Sequence, residues 1–351
     1  MAEVLHPPFV GVHCESTMLV NLLSQQGVQL SEPMVFGLGQ GLNFLYWRSA
    51  NMPYPFIGGR IKPDLLTANL CEALALPVES REFSSDARAW AHAQATLGQQ
   101  QWLGLKVDHY YLDYFGEQRF HFCAHYITLC GYDQEEAQVI DTLSGGGRTH
   151  TKLSSLALAR AAKGPMSSRR LSVRLLPGPD LDRLRQQLSA LLPGAVLQAI
   201  ASNARTYLNP PIKNIAHRGI ALAGQQVARW PEGIAQPQQD LPIIAFLMEE
   251  AGTGGGLFRR LWASFLREAQ TLCALPALGP LATRCDALAD QWSEVARLID
   301  LGGRKSDGAA LTRASAMLAE LAPAEQALMT DLLHIVEPHI PATPPPGGAK
   351  P

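Results

Sequence analysis

The sequence predicts an α+β protein in which a mixed N-terminal part precedes a mostly helical C-terminal part. Most of the Tyr, Phe and His residues lie before residue 165, where turn signals such as GLGQG (37–41) and SGGG (144–147) interrupt them. After residue 180 the sequence changes to long Ala- and Leu-rich stretches with helical periodicity. The chain has 351 residues, more than one hydrophobic core usually serves, so we expect two domains.

The change in composition places the predicted domain boundary near residue 170. We expect one domain over residues 1–170, a helical domain over residues 171–338 and a disordered tail over residues 339–351, which is too rich in Pro and Gly to pack. Six helical stretches are predicted in the second domain: residues 180–206, 213–229, 241–250, 256–275, 282–301 and 308–336.

The first predicted helix starts at or just after Cys14. Apolar residues recur at helical spacing within residues 14–26, namely Met18, Leu19, Leu22 and Leu23. Gly27 follows as a residue suited to end a helix. Residues 86–101 form a second predicted helix, and residues 102–115 form an extended segment rich in aromatic residues.

A β-hairpin is predicted from two short strands, residues 125–133 and 137–143. A turn at Asp133 to Glu136 joins the strands and sets Asp141 opposite Thr128. His125 is then within side-chain reach of Asp141 along one face of the sheet.

Charge and hydropathy exclude several classes of protein. The net charge is only -2, so the chain as a whole does not attract nucleic acid or anionic membranes. No apolar stretch is long enough to span a bilayer, and the N-terminus has neither a basic start nor an apolar signal core. We therefore expect a cytoplasmic protein with no nucleic-acid partner and no membrane span.

The cysteines are spread along the chain without a recognisable metal-binding spacing. Six are present, at positions 14, 71, 123, 130, 273 and 285, with no CxxC pair. In a reducing compartment they are expected to be thiols, and the usual role of any one of them is that of a small buried hydrophobe. We expect no metal and no bound cofactor.

Cys14 differs from the other cysteines because it lies at a predicted helix N-terminus. A thiolate attacks carbonyl groups, whereas a thiol does so poorly, and a helix N-terminus and a nearby histidine both favour the thiolate. Four histidines compete as the base, namely His13, His109, His121 and His125. His121 and His125 share one predicted strand face, so spacing alone does not choose between them. Asp141 is placed to hold the ring of the base.

A resemblance to a known protein family chooses among these histidines. Three segments occur in order: HCESTMLVNLLSQQGVQLSEPMVFGLGQGLNFLYW (13–47), VDHYYLDYF (107–115) and HFCAHYITLCGYDQEEAQVIDTL (121–143). Together they resemble the N-terminal domain of butirosin biosynthesis protein H, a family that is similar to papain-like cysteine peptidases of the bacteriocin-leader type and works as an acyltransferase. The resemblance implies Cys14 as the nucleophile, His125 as the base and Asp141 as the residue that orients the base. MEEAGTGGGLFRRLWASFLREA (248–269) resembles the helical domain that accompanies it.

The resemblance implies an acyltransferase in small-molecule biosynthesis. The acyl donor is expected to be a thioester on an acyl carrier protein, whose phosphopantetheine arm is part of the substrate, and the acceptor is expected to be an amine. Two alternatives stay open: a cysteine hydrolase (peptidase, amidase or thioesterase) with the same three residues, and a non-catalytic binding protein of a biosynthetic pathway. Formation of a homo-oligomer also stays open.

Substrate-binding candidates lie in three segments. Within GTGGGLFRR (252–260), Gly254, Gly255 and Arg259 are expected to bind a phosphate or an acidic group of the carrier protein, with a tight turn as the alternative. Gly39 belongs to a predicted active-site loop or a simple turn. Asp108 either orients the acceptor amine or caps a turn, and Tyr110, with its neighbouring tyrosines, lines the pocket or the core.

The second donor of the oxyanion hole is not assigned by the sequence. Papain-like enzymes usually have a glutamine a few residues before the cysteine, and residues 5–12 contain none. The backbone N–H of Cys14 can serve as one donor. His6, His13 or another backbone N–H is expected to supply the other.

Overall fold

A computed structural model describes residues 7–340, apart from the side chain of Gln118. The prediction of a disordered tail falls mostly outside the described residues. Before residue 341, Glu337–His339 forms a single 3-10 turn, and Ile340 packs partly buried against the core.

Two antiparallel sheets form the strand-rich N-terminal part of the chain. The two-stranded sheet pairs β1 (Leu42–Trp47) with β2 (Phe56–Arg60). The six-stranded sheet has the order β3-β8-β4-β5-β6-β7. Its strands are β3 (Val78–Arg81), β4 (Leu103–Val107), β5 (His125–Tyr132), β6 (Glu136–Ile140), β7 (Arg148–Lys152) and β8 (Ser172–Leu175). Five α-helices accompany the sheets in the described part of the chain: α1 (Cys14–Gln25), α2 (Glu32–Leu38), α3 (Leu65–Ala73), α4 (Asp86–Gly98) and α5 (Leu153–Ala161).

Helix α1 packs on the six-stranded sheet and places Cys14 beside the start of β5. The helix lies against β4 and β5, and its apolar residues are buried as the periodicity predicts. Gly104 on β4 allows the close approach, because a Cβ there would clash with Met18. Gly27 follows the helix with φ +73°, which confirms the predicted end.

The predicted hairpin is confirmed as β5 and β6, with one difference in register. Thr128 pairs with Ile140, and not with Asp141, because the register shifts between Leu129 and Gly131. Asp141 therefore follows the end of β6. His121 lies before β5 begins at His125, so the expectation that these two histidines share a strand face is wrong.

The rest of the described chain is helical, as predicted. Its helices are α6 (Pro179–Leu208), α7 (Ala216–Val227), the short α8 (Trp230–Gly233), α9 (Pro237–Glu249), α10 (Arg259–Leu272), α11 (Leu278–Arg304) and α12 (Gly308–Val336). We refer to α6 to α12 and their connections as the helical part. Within residues 7–340, no helix is long and apolar enough to cross a membrane.

The small sheet joins the strand-rich and helical parts. Helix α2 packs on α10, β1 packs on α7, and β2 packs on α9. A single cluster of buried apolar side chains consequently extends from α1 through β1 into the helical part. Strand β8 lies in the six-stranded sheet although it follows residue 170. The boundary at residue 170 stays a prediction.

Candidate active site

Cys14 is the first residue of α1, and its helix start is held by a network of hydrogen bonds. His13 is the N-cap, and its ring nitrogen Nδ1 accepts the Ser16 N–H. The buried Glu32 carboxylate accepts the backbone N–H groups of Val12 and His13 at 2.8 to 3.2 Å. Cys14 is 8% exposed. Its sulfur therefore lies at the positive end of a helix whose position is fixed.

His125 and Asp141 form a buried pair beside this helix start. The Nε2 atom of His125 lies 2.8 Å from Oδ2 of Asp141. The same oxygen accepts the Tyr114 hydroxyl at 2.7 Å, and Oδ1 accepts the Thr142 N–H at 2.6 Å. Because Nε2 faces Asp141, Nδ1 is the ring nitrogen that is left for exchange of a proton with another group.

Cys14 lies next to the first residue of β5. Its Sγ is 4.0 Å from the carbonyl oxygen of Ala124, which precedes His125 in the chain. Burial opposes charge on the His125 ring, but Asp141, and then Cys14, outweigh it and raise the pKa of His125 to about 10. Burial raises the pKa of Asp141, but His125 outweighs it and lowers that pKa below its usual value. At neutral pH, Asp141 is therefore ionised and the ring of His125 is a charged imidazolium.

Arg60 is a third charged group at the site, and sequence reasoning missed it. It ends β2, and its Nη1 donates to Oε2 of Glu15 at 2.8 Å. Burial lowers the pKa of Arg60, but the charges of Glu15 and then Cys14 raise it above its usual value overall. No local pattern marks Arg60, because only the packing of the small sheet brings it near Cys14.

A cavity of about 570 Å³ opens at these residues. Cys14, His125 and Arg60 lie in its wall, together with side chains from both parts of the chain. Much of the lining is aromatic, with Phe56, Phe115, Phe120, Phe122, Phe246 and Phe258. The size and the apolar lining with a few polar groups are typical of a small-molecule site.

The competing histidines have other surroundings. The ring of His109 lies tilted against Phe115, with 3.7 Å between the ring centroids. Burial, followed by the charge of His125, lowers the pKa of His109 to about 3. The side chain of His121 is exposed, and its Nδ1 lies 2.8 Å from Oδ2 of Asp108. His125 is thus the histidine that the structure brings to Asp141.

None of the six predicted substrate-binding residues is in the cavity lining, as far as residues 7–340 show, and three of them lie away from the glycine segment. Asp108 is buried and accepts the backbone N–H groups of Tyr110 and Phe122, so it caps a turn. The Tyr110 ring stacks on His121 at the surface. Gly39 ends α2, where a Cβ would lie 2.6 Å from Cγ of Leu66. These placements favour the alternatives expected for Asp108, a capped turn, and for Gly39, a simple turn, and a binding role of Tyr110 stays a prediction.

The glycine segment lines the cavity, but not as a phosphate-binding helix start. Gly252 and Thr253 are in the cavity wall. The Gly255 N–H donates to Oγ1 of Thr253 at 3.1 Å, and the Gly256 N–H donates to Oε2 of Glu249 at 2.9 Å. Both N–H groups already have acceptors, and the negative charge of the Glu249 carboxylate disfavours a bound anion beside it. These bonds favour the alternative expected for this segment, a tight turn, at Gly255, and the phosphate-binding role of Gly254 stays a prediction.

Arg259 is buried inside the helical part. Its Nε and Nη2 each bond to the Glu325 carboxylate at 2.7 Å, and its Nη1 donates to the carbonyl of Leu257 at 2.7 Å. The guanidinium is 1% exposed and has its partners inside the protein. This position corrects the expected contact between Arg259 and a phosphate.

The structure describes one of the two histidines that are expected as the second oxyanion donor. His6 lies outside the described residues. His13 lies in the cavity wall beside Cys14.

Comparisons with known proteins agree with the two-part architecture. The model of the N-terminal domain of butirosin biosynthesis protein H matches residues 13–142. A domain of unknown function (DUF4872) matches residues 154–332, about half of the chain. The comparison with curated proteins found no match. The first match relates the chain to a protein of butirosin biosynthesis, and both matches in this order show that the chain belongs to the butirosin biosynthesis protein H family.

Proposed function

We propose that the protein is a cysteine-dependent acyltransferase of small-molecule biosynthesis. The observation that carries the proposal is the placement of Cys14 beside the His125–Asp141 pair in the wall of an apolar cavity. The donor is a thioester on an acyl carrier protein, the acceptor is an amine, and the reaction takes place in the cytoplasm. A papain-like fold of the N-terminal domain is part of the proposal. It is supported by the chain order Cys, His, Asp and by a cysteine-bearing helix packed on an antiparallel sheet.

The first step transfers the acyl group to the protein. The Cys14 thiolate attacks the thioester carbonyl, and a new C–S bond forms as the bond to the phosphopantetheine sulfur breaks. His125, charged because Asp141 raises its pKa, gives its proton to the departing sulfur. One thioester replaces another, so the step needs no ATP.

The second step transfers the acyl group to the acceptor. An amine attacks the acyl-enzyme carbonyl and loses a proton to His125, which Asp141 holds in orientation. The C–N bond forms, the bond to Cys14 breaks, and the Cys14 thiolate returns. Conversion of a thioester into an amide is downhill, so this step needs no ATP. The phosphopantetheine arm acts as part of the substrate, and the proposed reaction uses no bound cofactor.

The aromatic wall supports transfer over hydrolysis. Phe side chains from both parts of the chain surround the reacting groups and reduce the room for water once a substrate is bound. The hydrolase alternative uses the same three residues. The non-catalytic alternative expects Cys14 far from His125, and the 4.0 Å contact of the Cys14 sulfur with the carbonyl of Ala124, the residue before His125, argues against that separation.

Mass spectrometry of the intact protein tests the first step. The protein is incubated with a panel of acyl-carrier-protein thioesters, and the mass of one acyl group is expected on the wild type and absent from Cys14→Ala. Cys130→Ala is the matched control, because Cys130 is a partly exposed thiol on β5 and is expected to leave the adduct unchanged. An adduct that persists in Cys14→Ala, or its absence with every thioester tested, contradicts the proposal.

Product analysis separates the acyltransferase from the hydrolase. A panel of amines is added to the isolated acyl-enzyme, and the amide and the free acid are quantified. Release as amide with at least one amine, faster than release as acid, supports transfer. Release as acid alone at every amine concentration supports the hydrolase.

A further inference from the structure

We propose that Nε2–H of His13 is the second donor of the oxyanion hole, beside the backbone N–H of Cys14. The inference rests on the proposed function, since it assigns a role in the attack of Cys14 on a carbonyl group. His13 lies directly before Cys14 and shares the cavity wall with Cys14 and His125. It takes the place of the glutamine that the sequence lacks.

The two backbone donors just before Cys14 have partners. The N–H groups of Val12 and His13 both donate to the Glu32 carboxylate. Cys14 is the first residue of α1, so its own N–H has no partner within the helix. The Cys14 N–H is thus suited to an oxyanion, and the ring of His13 beside it can supply a second donor.

We assign the hydrogen of the neutral His13 ring to Nε2 as part of this inference. Nδ1 accepts the backbone N–H of Ser16 at 3.4 Å. The Ser16 hydroxyl lies 3.0 Å from Nδ1 and donates to Oε1 of Glu32 at 2.9 Å, so the assignment rests on the Ser16 N–H alone. A hydrogen on Nδ1 would face the Ser16 N–H and leave that buried donor without an acceptor.

The Nε2 atom is a donor without a partner. It is buried, and within residues 7–340 it makes no hydrogen bond. Burial, and then the charges of Arg60 and His125, lower the pKa of His13 well below its usual value, so the ring is neutral at pH 7. A buried donor that stays unbonded is costly. The charged oxygen of a tetrahedral intermediate would supply the missing acceptor.

Two aromatic rings fix the orientation of the His13 ring. Phe36 on α2 and Phe258 from the helical part each meet it edge to face, at centroid distances of 5.9 and 5.3 Å. The two phenyl rings are themselves parallel. The donor is thus held in place before a substrate arrives, as an oxyanion hole requires. Phe258 also gives the helical part a direct role in the site.

The role of His13 involves no proton transfer. As the sulfur of Cys14 bonds to the carbonyl carbon, the electron pair of the C=O bond moves to oxygen, where Nε2–H and the Cys14 N–H donate to it. The electron pair on oxygen re-forms the C=O bond when the leaving group departs with its own electron pair. His13 keeps its hydrogen throughout.

The test compares two reactions of Cys14 in His13 variants. Acylation by 4-nitrophenyl acetate passes through an oxyanion, and its rate is measured from the initial burst of nitrophenol. Alkylation by iodoacetamide forms no oxyanion. His13→Ser retains an N-cap acceptor for Ser16 but has no donor at the Nε2 position. His13→Gln offers an amide donor in its place. Thermal melts of both variants check that the fold is kept.

We expect His13→Ser to slow acylation by about 10²- to 10³-fold while alkylation changes by less than about 3-fold. His13→Gln is expected to recover much of the acylation rate. A parallel loss of both reactions in His13→Ser, or acylation at the wild-type rate, overturns the inference. Because the ester probe needs no carrier protein, a wild type that reacts with the ester but with no carrier thioester contradicts the proposed function and leaves the test of His13 intact.

Discussion

Oδ2 of Asp141 accepts hydrogen bonds from both His125 and Tyr114, at 2.8 and 2.7 Å, in the interior of the protein. A buried carboxylate with two donors stays ionised and holds a charged imidazole at a fixed orientation. The Tyr114 hydroxyl remains protonated, since burial and then Asp141 raise the pKa of Tyr114 well above its usual value. The geometry of His125 thus depends on a network, and the following predictions test its parts.

Asp141→Asn is expected to slow acylation by about 10²- to 10⁴-fold and to change its pH dependence. Asp141 is the group that raises the pKa of His125 to about 10, so its removal lowers that pKa. The alkaline fall in rate should therefore move from near pH 10 to lower pH. The rate of the ester burst is measured from pH 6 to 11, with Asp133→Asn, in the exposed turn of the same hairpin, as the control. An alkaline limb that does not move contradicts the assignment.

Arg60→Met is expected to lower the free energy of unfolding by about 3 to 5 kcal/mol, because it leaves the Glu15 carboxylate buried without its partner. Glu15→Gln combined with Arg60→Met should recover part of the loss. Urea denaturation provides the measurement. Arg169→Met is the control, since Arg169 and Glu82 form an exposed pair whose loss should cost at most about 1 kcal/mol. Equal losses for the two single variants would contradict the prediction.

Arg259→Lys is expected to destabilise the protein and to slow acylation, although it retains the charge. Lysine cannot reproduce the two bonds to Glu325 together with the bond to the Leu257 carbonyl, which holds the segment that carries Phe258. The matched control is Arg260→Lys, the next residue, whose pair with Asp290 is exposed. Thermal melting and the ester burst are compared. If the two variants behave alike, Arg259 does not position the cavity wall.

Tyr114→Phe is expected to lower the free energy of unfolding by about 1.5 to 3 kcal/mol, the usual contribution of a hydrogen bond to a charged group. It removes one donor from Asp141 and leaves the ring packing unchanged. Tyr132→Phe is the control, because Tyr132 is exposed at the end of β5. The two variants are compared by urea denaturation, and a Tyr114→Phe protein as stable as the control shows that the bond to Asp141 contributes nothing.

Local patterns carried much of the sequence-based prediction. Cys14 precedes a periodic helix, and the turn that joins β5 to β6 is marked by Asp133, whose carboxylate accepts the N–H groups of Glu135 and Glu136. Because the hairpin is short, the predicted register already brought His125 close to Asp141. It differed from the observed pairing by one residue. The bulge between Leu129 and Gly131, which causes the difference, was not predicted.

Contacts between distant segments were not predictable in the same way. Arg60 reaches Cys14 only through the pairing of β2 and its packing. Arg259 finds its partner in Glu325, 66 residues later, and the sequence showed only an arginine after glycines. The pattern also did not reveal that the carboxylate of Glu249 already bonds to the glycine segment.

The proposed mechanism needs a charged imidazole of His125 beside the sulfur of Cys14, and ¹⁵N NMR of the histidine-labelled protein measures that charge. His125→Gln assigns the signal. We expect an imidazolium at pH 7.5 that loses its proton near pH 10, and a lower pKa of His125 in Cys14→Ala, because Cys14 is one of the groups that raise this pKa. A neutral His125 ring at pH 7.5, or a titration that is unchanged in Cys14→Ala, would contradict the mechanism.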